Sequence, residues 1–240
     1  MKEFLEGYYS FFTSGVEILA ALTGIFTYKK YKNDNTRWFV FFLVGVALLE
    51  IISMYPSFIK DDFIKKHQGS LWGLILQSNH WLYSIFWTLG GSLFFSYYFR
   101  LNFQNEKHKR IVKYLTVLFI LSFAIYYATH FEKLFSDFIF IPVDIFSAVL
   151  VATCSILYLM ELMQSDKIVY FYRSINFYIS TVILIWWLIS TPINFFNEYF
   201  HINDIDFITL QWLIYLIINV MMYLSFTFAL IFCQPRIKDN

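Results

Sequence analysis

The sequence predicts an all-α protein, a polytopic membrane bundle of seven transmembrane helices. Three observations predict this fold class. Of the 240 residues, 59% are hydrophobic and only 15% are charged, whereas soluble domains average about 25% charged residues. Seven apolar stretches alternate with short polar segments, and each is long enough for a hydrocarbon layer that takes about 20 residues to cross. Basic residues concentrate in every second polar segment, as they do in proteins with several spans.

The seven apolar stretches use almost the whole chain, so we expect one seven-helix domain over 1–240 and no soluble domain. The eight glycines and four prolines are few, which favours continuous helices. Pro56 and Pro192 lie near the ends of the second and sixth stretches and are expected to end those helices. The predicted spans are 8–28, 38–58, 71–99, 111–129, 138–163, 175–198 and 208–233.

Lysine and arginine predict the orientation. With the N-terminus outside, 13 of the 18 basic residues fall in inner segments, so we expect a multi-pass protein of the bacterial inner membrane with a cytoplasmic C-terminus. The first residues show neither a basic segment nor a small-residue cleavage site, so no cleaved signal peptide is expected. The largest inner cluster is a candidate contact patch for a cytoplasmic partner, although the orientation rule alone also accounts for it. Its members are Arg100, Lys107, Lys109, Arg110 and Lys113.

Ionisable residues inside the predicted spans are the candidate functional groups. A charged side chain at the centre of a span costs about 2.5–3.5 kcal/mol, so it indicates function by default. These residues share the outer half of the bilayer, which predicts an outward-facing polar pocket. The alternative is hydrogen bonding between helices that stabilises the bundle by about 0.6 kcal/mol per contact. The predicted pocket residues are Glu17, Glu50, Asn79, His80, Asp144 and Asn194, with Trp186 and Trp187 as either its wall or plain core.

Several chemistries are not expected. A net charge of +1 gives no electrostatic case for nucleic-acid binding. Cys154 and Cys233 form no metal pattern and no evident disulfide. The last span has no lysine for a retinal Schiff base, and the spans lack the paired histidines of a membrane haem. We therefore expect no cofactor. A metal site built from the pocket acids and His80 has no spacing motif behind it.

Spans 1–3 and 5–7 are faintly alike. Val16-Glu17-Ile18 corresponds to Val143-Asp144-Ile145, and the second and sixth spans end in similar Ile-Ser-containing segments before a proline. Trp81-Leu82 and Trp212-Leu213 occupy similar depths in the third and seventh spans. This pattern is either chance or a 3+1+3 arrangement of two parallel repeats with span 4 as linker.

The sequence resembles a group of small seven-span membrane proteins of Bacteroidota that carries no assigned activity. The resemblance rests on Glu17-Ile18-Leu19 leading to Tyr28-Lys29-Lys30-Tyr31-Lys32, on Glu50, on Asn79-His80-Trp81-Leu82-Tyr83, and on the stretch 176–192. It implies a shared architecture and no particular chemistry. The 3+1+3 layout with an outer N-terminus is also similar to the sugar-transporting SWEET group, but the spans lack a Pro-Gln pair.

Three functions follow from these patterns. The favoured one is a non-catalytic sensor or receptor-type subunit that binds a small molecule or ion in the pocket and acts on a membrane or cytoplasmic signalling partner. The second is a transporter or channel for a small solute or ion, with proton coupling through Glu17 and Asp144. The third, an intramembrane enzyme, ranks last because no nucleophile–base pair or metal motif is visible.

Overall fold

The structure is a computed structural model that describes residues 2–59, 75–76, 78–131, 141–196 and 205–235. Within these ranges the side chains at 2–6, 57, 80, 84, 141, 167, 196 and 205–206 lie outside the description. The predicted pocket residue His80 is therefore described only by its backbone. The first residues of the third and fifth predicted spans and the last of the sixth also lie outside the described residues.

The described chain is nearly all helical. Long apolar runs form the helices because every backbone group in a hydrocarbon layer must find its partner within the protein. The α-helices are α1 (Lys2–Tyr31), α2 (Thr36–Ser53), α3 (His80–Tyr83), α4 (Ser92–Asn102), α5 (Glu106–Thr129), α6 (Ile141–Met163), α7 (Ile175–Phe196) and α8 (Ile205–Phe232). Short 3₁₀ helices cover Tyr55–Phe58 and Asp166–Arg173, and a π-helix covers Ser84–Gly91.

The third predicted span is one continuous helical run with an unusual winding. The backbone at Tyr83, Gly91 and Ser92 is helical, so α3, the π-helix and α4 follow one another without a break. We call this unit the α3–π–α4 run. Continuity agrees with the scarcity of glycine and proline, but the change of winding does not follow from it. A π-helix is rare and is frequent at functional sites.

Six of the described helices are long and apolar enough to cross a membrane, which is the architecture of a multi-pass membrane protein. They are Gly7–Tyr31, Thr36–Ser53, Glu106–Thr129, Pro142–Met163, Ile175–Phe195 and Phe207–Phe232. The α3–π–α4 run is not among them, so a count of seven does not follow from helix length and composition alone. Many large apolar side chains face outward on these helices, as lipid contact requires.

Six helical units pack as a closed ring. α1 packs against α2 and α8, α7 packs against α6 and α8, and α4 packs against α6 and touches α2. The order around the ring is therefore α1, α2, the α3–π–α4 run, α6, α7 and α8. α5 packs on α6 and α4 and leaves most of its surface exposed, so it lies outside the ring.

The chain enters and leaves the ring at opposite ends. Tyr31, the last residue of α1, donates from its hydroxyl to the carbonyls of Leu230 and Cys233, at 3.0 and 2.8 Å. α1 and α8 therefore finish side by side and run in the same direction. We call the end where α1 begins the N-terminal end of the bundle and the end where α8 finishes the C-terminal end.

Packed side chains close the C-terminal end. Phe39 and Phe226 meet edge to face with ring centroids 4.9 Å apart. At the same end, Asn176 donates to Asn102 at 3.0 Å and accepts a hydrogen bond from the Tyr98 hydroxyl. All five side chains are buried, so buried polar groups here find partners in one another rather than in solvent.

Pro56 and Pro192 behave differently from each other. α2 ends at Ser53, and Pro56 follows in a 3₁₀ turn, as the sequence predicts. α7 instead continues through Pro192 to Phe196. The Thr191 hydroxyl donates to the Trp187 carbonyl at 2.6 Å. Such hydroxyls help membrane helices to tolerate proline by binding carbonyls near it.

Candidate functional site

A cavity of about 500 Å³ lies in the N-terminal half of the ring. Its volume is within the range of about 300–1,000 Å³ that is usual for small-molecule sites. Residues from α1, α2, α3, the π-helix, α7 and α8 contribute to its wall. The lining residues are Tyr9, Ser10, Thr13, Glu17, Glu50, Tyr83, Trp87, Trp186, Asn219 and Tyr223.

Glu50 lies in the last turn of α2, and hydroxyl groups from two other helices hold it in place. Ser14 of α1 donates to Oε1 at 2.7 Å, and Tyr83 of α3 donates to Oε2 at 2.8 Å. The Ser53 hydroxyl lies 2.8 Å from that of Tyr83. Glu50 thus joins three helices and presents a fixed carboxylate at the edge of the cavity.

Glu17 lies on the same cavity but is held differently. It is one turn beyond Thr13 and Ser14 on α1, and among the described side chains it has no counterpart of the two short hydroxyl contacts that hold Glu50. Its polar neighbour is Tyr223 of α8, whose hydroxyl faces the carboxylate. The Tyr223 side chain is 1% exposed, so this contact is shielded from water.

Two tryptophans form the aromatic wall. Trp87 of the π-helix and Trp186 of α7 stack across the ring with centroids 5.9 Å apart and planes 19° apart. The Trp186 indole N–H donates to Asn219 at 2.7 Å, which fixes the ring against α8. Trp187 is buried and does not line the cavity. Of the two tryptophans predicted as wall or core, one therefore lies in each place.

Asp144 lies at a similar depth but away from the cavity wall. Thr88 of the π-helix donates to its Oδ1 at 2.9 Å. One turn further along, the hydroxyls of Ser92 and Ser147 lie 2.5 Å apart. These contacts join the α3–π–α4 run to α6. The structure thus separates Asp144 from Glu17 and Glu50, although all three are in the same half of the bundle.

Asn79 and Asn194, two of the remaining predicted pocket residues, also lie around the cavity rather than in its described wall. Asn79 donates to the Ser53 carbonyl at 2.9 Å and ties the start of α3 to the end of α2. Asn194 of α7 accepts a hydrogen bond from the Tyr215 hydroxyl of α8. Both amides support neighbouring helices. The His80 side chain lies outside the described residues, and its place in the pocket stays a prediction.

The predicted contact patch lies at the opposite, C-terminal end. Lys107, Arg110 and Lys113 are exposed on α5, whereas Lys109 pairs with Glu106 at 2.7 Å. Arg100 is half-buried at the end of α4. Glu161 of α6 fixes the segment between α4 and α5, because its carboxylate accepts hydrogen bonds from the Gln104 and Asn105 backbone amides.

Comparison with protein-family models, with curated proteins and with solved structures finds no match. The chemistry of the cavity therefore carries the functional argument.

That chemistry is selective by charge and shape. Of the ten lining residues that the structure describes, two are acidic, none is basic and five are aromatic. Such a wall can bind a ligand through ring faces, hydroxyls and carboxylates. It presents no group with an evident role in covalent catalysis, and among the described residues no cluster of three His, Cys, Asp or Glu side chains could hold a metal ion.

Sequence reasoning missed most of the uncharged wall. The missed residues are of types that also occur at lipid-facing and core positions of the same helices. They are Tyr9, Thr13, Tyr83, Trp87 and Tyr223. The available signal was spacing, because Tyr9, Thr13 and Glu17 repeat every four residues and so share one face of α1. Glu17 marked that face as the one turned inward.

Proposed function

We propose that the chain is a seven-span protein of the bacterial inner membrane that binds a small molecule in this cavity and acts as a non-catalytic, sensor or receptor-type subunit. The observation that carries the proposal is the position of the cavity. It occupies the N-terminal half of the ring, while packed and hydrogen-bonded side chains fill the C-terminal half. A site of this kind suits binding from one side better than passage.

The directions of α1 and α8 support a count of seven membrane spans. α1 and α8 run parallel, so an odd number of crossings must connect the two chain ends. The six helices long enough to cross give an even number. The α3–π–α4 run supplies the remaining crossing, because at about 1.5 Å per residue it covers a hydrocarbon core of about 30 Å.

The orientation is supported by the basic residues. Every lysine and arginine whose side chain the structure describes lies at the C-terminal end of the bundle, from Lys29 to Arg37 and from Arg100 to Arg173. The preference of basic loops for the cytoplasm then directs the cavity to the outside. Reporter fusions at each terminus test this, since a cytoplasmic N-terminus would reverse the placement of the cavity.

The α3–π–α4 run offers a route between the cavity and the cytoplasmic surface. It carries Tyr83 and Trp87 at the cavity and Asn102 at the opposite end, where Glu161 holds the segment that leads to the contact patch. A bound ligand that displaces Tyr83 or Trp87 would move this run as a unit, by the small sliding of packed helices that is common in switching proteins. The exposed Lys107, Arg110 and Lys113 would present that movement to a partner.

A proton-coupled transporter is the second candidate, and the ring order favours it. The ring consists of two sets of three consecutive helical units: the first is α1, α2 and the α3–π–α4 run, and the second is α6, α7 and α8. If the two sets are interchanged, each unit keeps equivalent neighbours, and α5 stays outside the ring. Two parallel repeats of three spans joined by a linker would pack in this way. Glu17 and Asp144 occupy corresponding places in the two halves.

Reconstitution separates the two candidates. Purified protein in liposomes is assayed for proton flux with an enclosed pH dye and for uptake of labelled amines, sugars and carboxylates. A receptor gives the same flux as empty liposomes, in the native chain and in Glu17→Gln and Asp144→Asn. Flux that either substitution abolishes would overturn the receptor role and establish transport.

A further inference from the structure

None of the described basic side chains balances the charge of the cavity. Glu17 and Glu50 both line it, and no lysine or arginine of the described ranges does. The ion pairs of the described chain, His108–Glu161 and Lys109–Glu106, lie at the opposite end of the bundle. A carboxylate away from bulk water is stabilised by a positive partner. A positive group on the occupant of the cavity would be such a partner.

The two carboxylates differ in how many of their lone pairs the protein already occupies. Glu50 already accepts one hydroxyl on each oxygen, from Ser14 and from Tyr83. Within the described structure Glu17 has only the Tyr223 hydroxyl beside it, so its other lone pairs are free to receive donors from a ligand. Glu17 is therefore the direct counter-charge, and Glu50 adds to the negative potential.

Tyr223 adds a neutral polar group beside Glu17. It lines the cavity, and its hydroxyl is buried against that carboxylate. One hydroxyl supplies one donor, whereas an ionised carboxylate has about four acceptor positions. A ligand group with several N–H donors can therefore fill the positions on Glu17 that Tyr223 leaves open.

The rest of the wall suits an organic body rather than a bare metal ion. The stacked Trp87 and Trp186 and the rings of Tyr9, Tyr83 and Tyr223 supply half of the lining residues. Aromatic faces attract organic cations, and Trp does so best. A metal ion would instead need several oxygen ligands at about 2.0–2.6 Å, which a cavity of about 500 Å³ with two carboxylates does not concentrate.

We infer that the ligand of this cavity is an organic cation, an ammonium group on an apolar or aromatic body, with Glu17 as its counter-ion and Trp87 and Trp186 as its aromatic wall. The inference rests on the proposed function only in taking the cavity as the ligand site. Neutral isosteres lack the charge that Glu17 selects, and organic anions are repelled by both carboxylates.

The test uses three probes of one shape. The full chain in lipid nanodiscs is titrated with 2-phenylethylammonium, with neutral 2-phenylethanol and with anionic 3-phenylpropionate, and binding is followed by calorimetry and by tryptophan fluorescence. We expect the ammonium to bind at least about ten-fold more tightly than the alcohol, which is a typical selectivity for a paired buried charge, and the anion not to bind. Equal binding of the alcohol, or the absence of ammonium binding, would overturn the inference.

Substitutions locate the charge. Glu17→Gln should weaken 2-phenylethylammonium binding at least about ten-fold and leave any binding of the alcohol unchanged. Asp144→Asn removes another carboxylate in the same half of the bundle but outside the cavity wall, and should leave both affinities as they are. If Glu17→Gln lowers the yield of folded protein, the ranking of the three probes on the native chain still decides the inference. Loss of binding in Asp144→Asn alone would place the site elsewhere.

Two results would separate the choice of an organic cation as ligand from the proposed receptor role. Selective binding of the alcohol or of the anion would leave a receptor-type cavity in place while removing the cation. Glu17-dependent uptake of 2-phenylethylammonium into liposomes would remove the receptor role while leaving the cation as the ligand.

Discussion

The Ser14 hydroxyl of α1 donates a 2.7 Å hydrogen bond to Oε1 of Glu50 at the end of α2, and this bond closes one edge of the cavity. The other oxygen of the same carboxylate accepts from Tyr83. A single acid thus holds three helices in the arrangement that creates the cavity, and its own charge contributes to what the cavity binds.

Removing either hydroxyl should destabilise the bundle. Ser14→Ala and Tyr83→Phe each leave one Glu50 oxygen without its donor, at a cost of about 1–3 kcal/mol. The double variant should cost less than the sum of the two, because both bonds serve one carboxylate. Unfolding of purified protein in mixed micelles by SDS measures these differences.

Thr153→Val is the matched control for these substitutions. The Thr153 hydroxyl binds the Val149 carbonyl in its own helix, at 2.7 Å, and joins no second helix. Its removal should change stability by less than about 0.5 kcal/mol. A cost as large as that of Ser14→Ala would mean that the Glu50 contacts have no special role in holding the helices together.

Glu50 and its partners also mark how far sequence reasoning reaches. An acid inside an apolar span signals a special position, so Glu17 and Glu50 could be placed in a common pocket from sequence. Ser14 and Tyr83 could not, because serine and tyrosine occur throughout these spans and a span position does not say which neighbour it faces. Long-range partners become visible only once the helices are packed.

Asp144 shows a second limit of what the sequence predicts about the site. Depth along a span follows from sequence, but direction around the helix axis depends on neighbours, and Asp144 faces Thr88 rather than the cavity. The π-helix adds to the difficulty. Residues 84–91 do not follow a period of 3.6 residues, so the faces that Trp87 and Thr88 present could not be assigned by the spacing that identified Tyr9, Thr13 and Glu17.

Glu161 should control the order of the segment between α4 and α5. It accepts from the backbone amides of Gln104 and Asn105, at 2.8 and 3.2 Å, and lies 2.6 Å from Nδ1 of His108. Glu161→Ala leaves these donors without their acceptor, so the amides at 104 and 105 should exchange hydrogen faster. Hydrogen–deuterium exchange measured by mass spectrometry reads this directly.

Glu106→Ala is the comparison for Glu161. Glu106 is exposed and pairs with Lys109 within α5, and exposed pairs contribute little to stability. Exchange at 104 and 105 should stay near the native rate in this variant. Equal acceleration in both variants would show that the segment responds to any lost acid rather than to the contacts of Glu161.

The two cysteines should report unfolding without engineering. Cys154 and Cys233 are both free and fully buried, and a thiol buried in apolar surroundings is inert because an alkylating reagent cannot reach it. N-ethylmaleimide at neutral pH should leave both unlabelled in the folded protein and label both in SDS. Lys107→Cys, at an exposed position of α5, should label at once in the folded state. Rapid native labelling of Cys233 would contradict the packing of α8 against Tyr31.

Gly24 sets the distance between α1 and α2. A Cβ atom at residue 24 would lie 3.1 Å from Cγ1 of Val40, which is tighter than ordinary contact, and small residues are what allow membrane helices to approach closely. Gly24→Leu should therefore destabilise the protein by about 1–3 kcal/mol. Gly15→Leu is the control on the same helix, because nothing lies within 4 Å of a Cβ atom there.

Val40→Ala provides the decisive comparison for Gly24. Alone it removes buried methyl groups and should cost stability. Combined with Gly24→Leu it opens the space that the larger side chain needs, so the double variant should be more stable than the two separate losses predict, by about 0.5–3 kcal/mol. SDS unfolding of the four proteins of this cycle gives the coupling. Strict additivity would mean that α1 and α2 do not meet at Gly24 and Val40, and the α1 face that carries Glu17 would then have to be placed again.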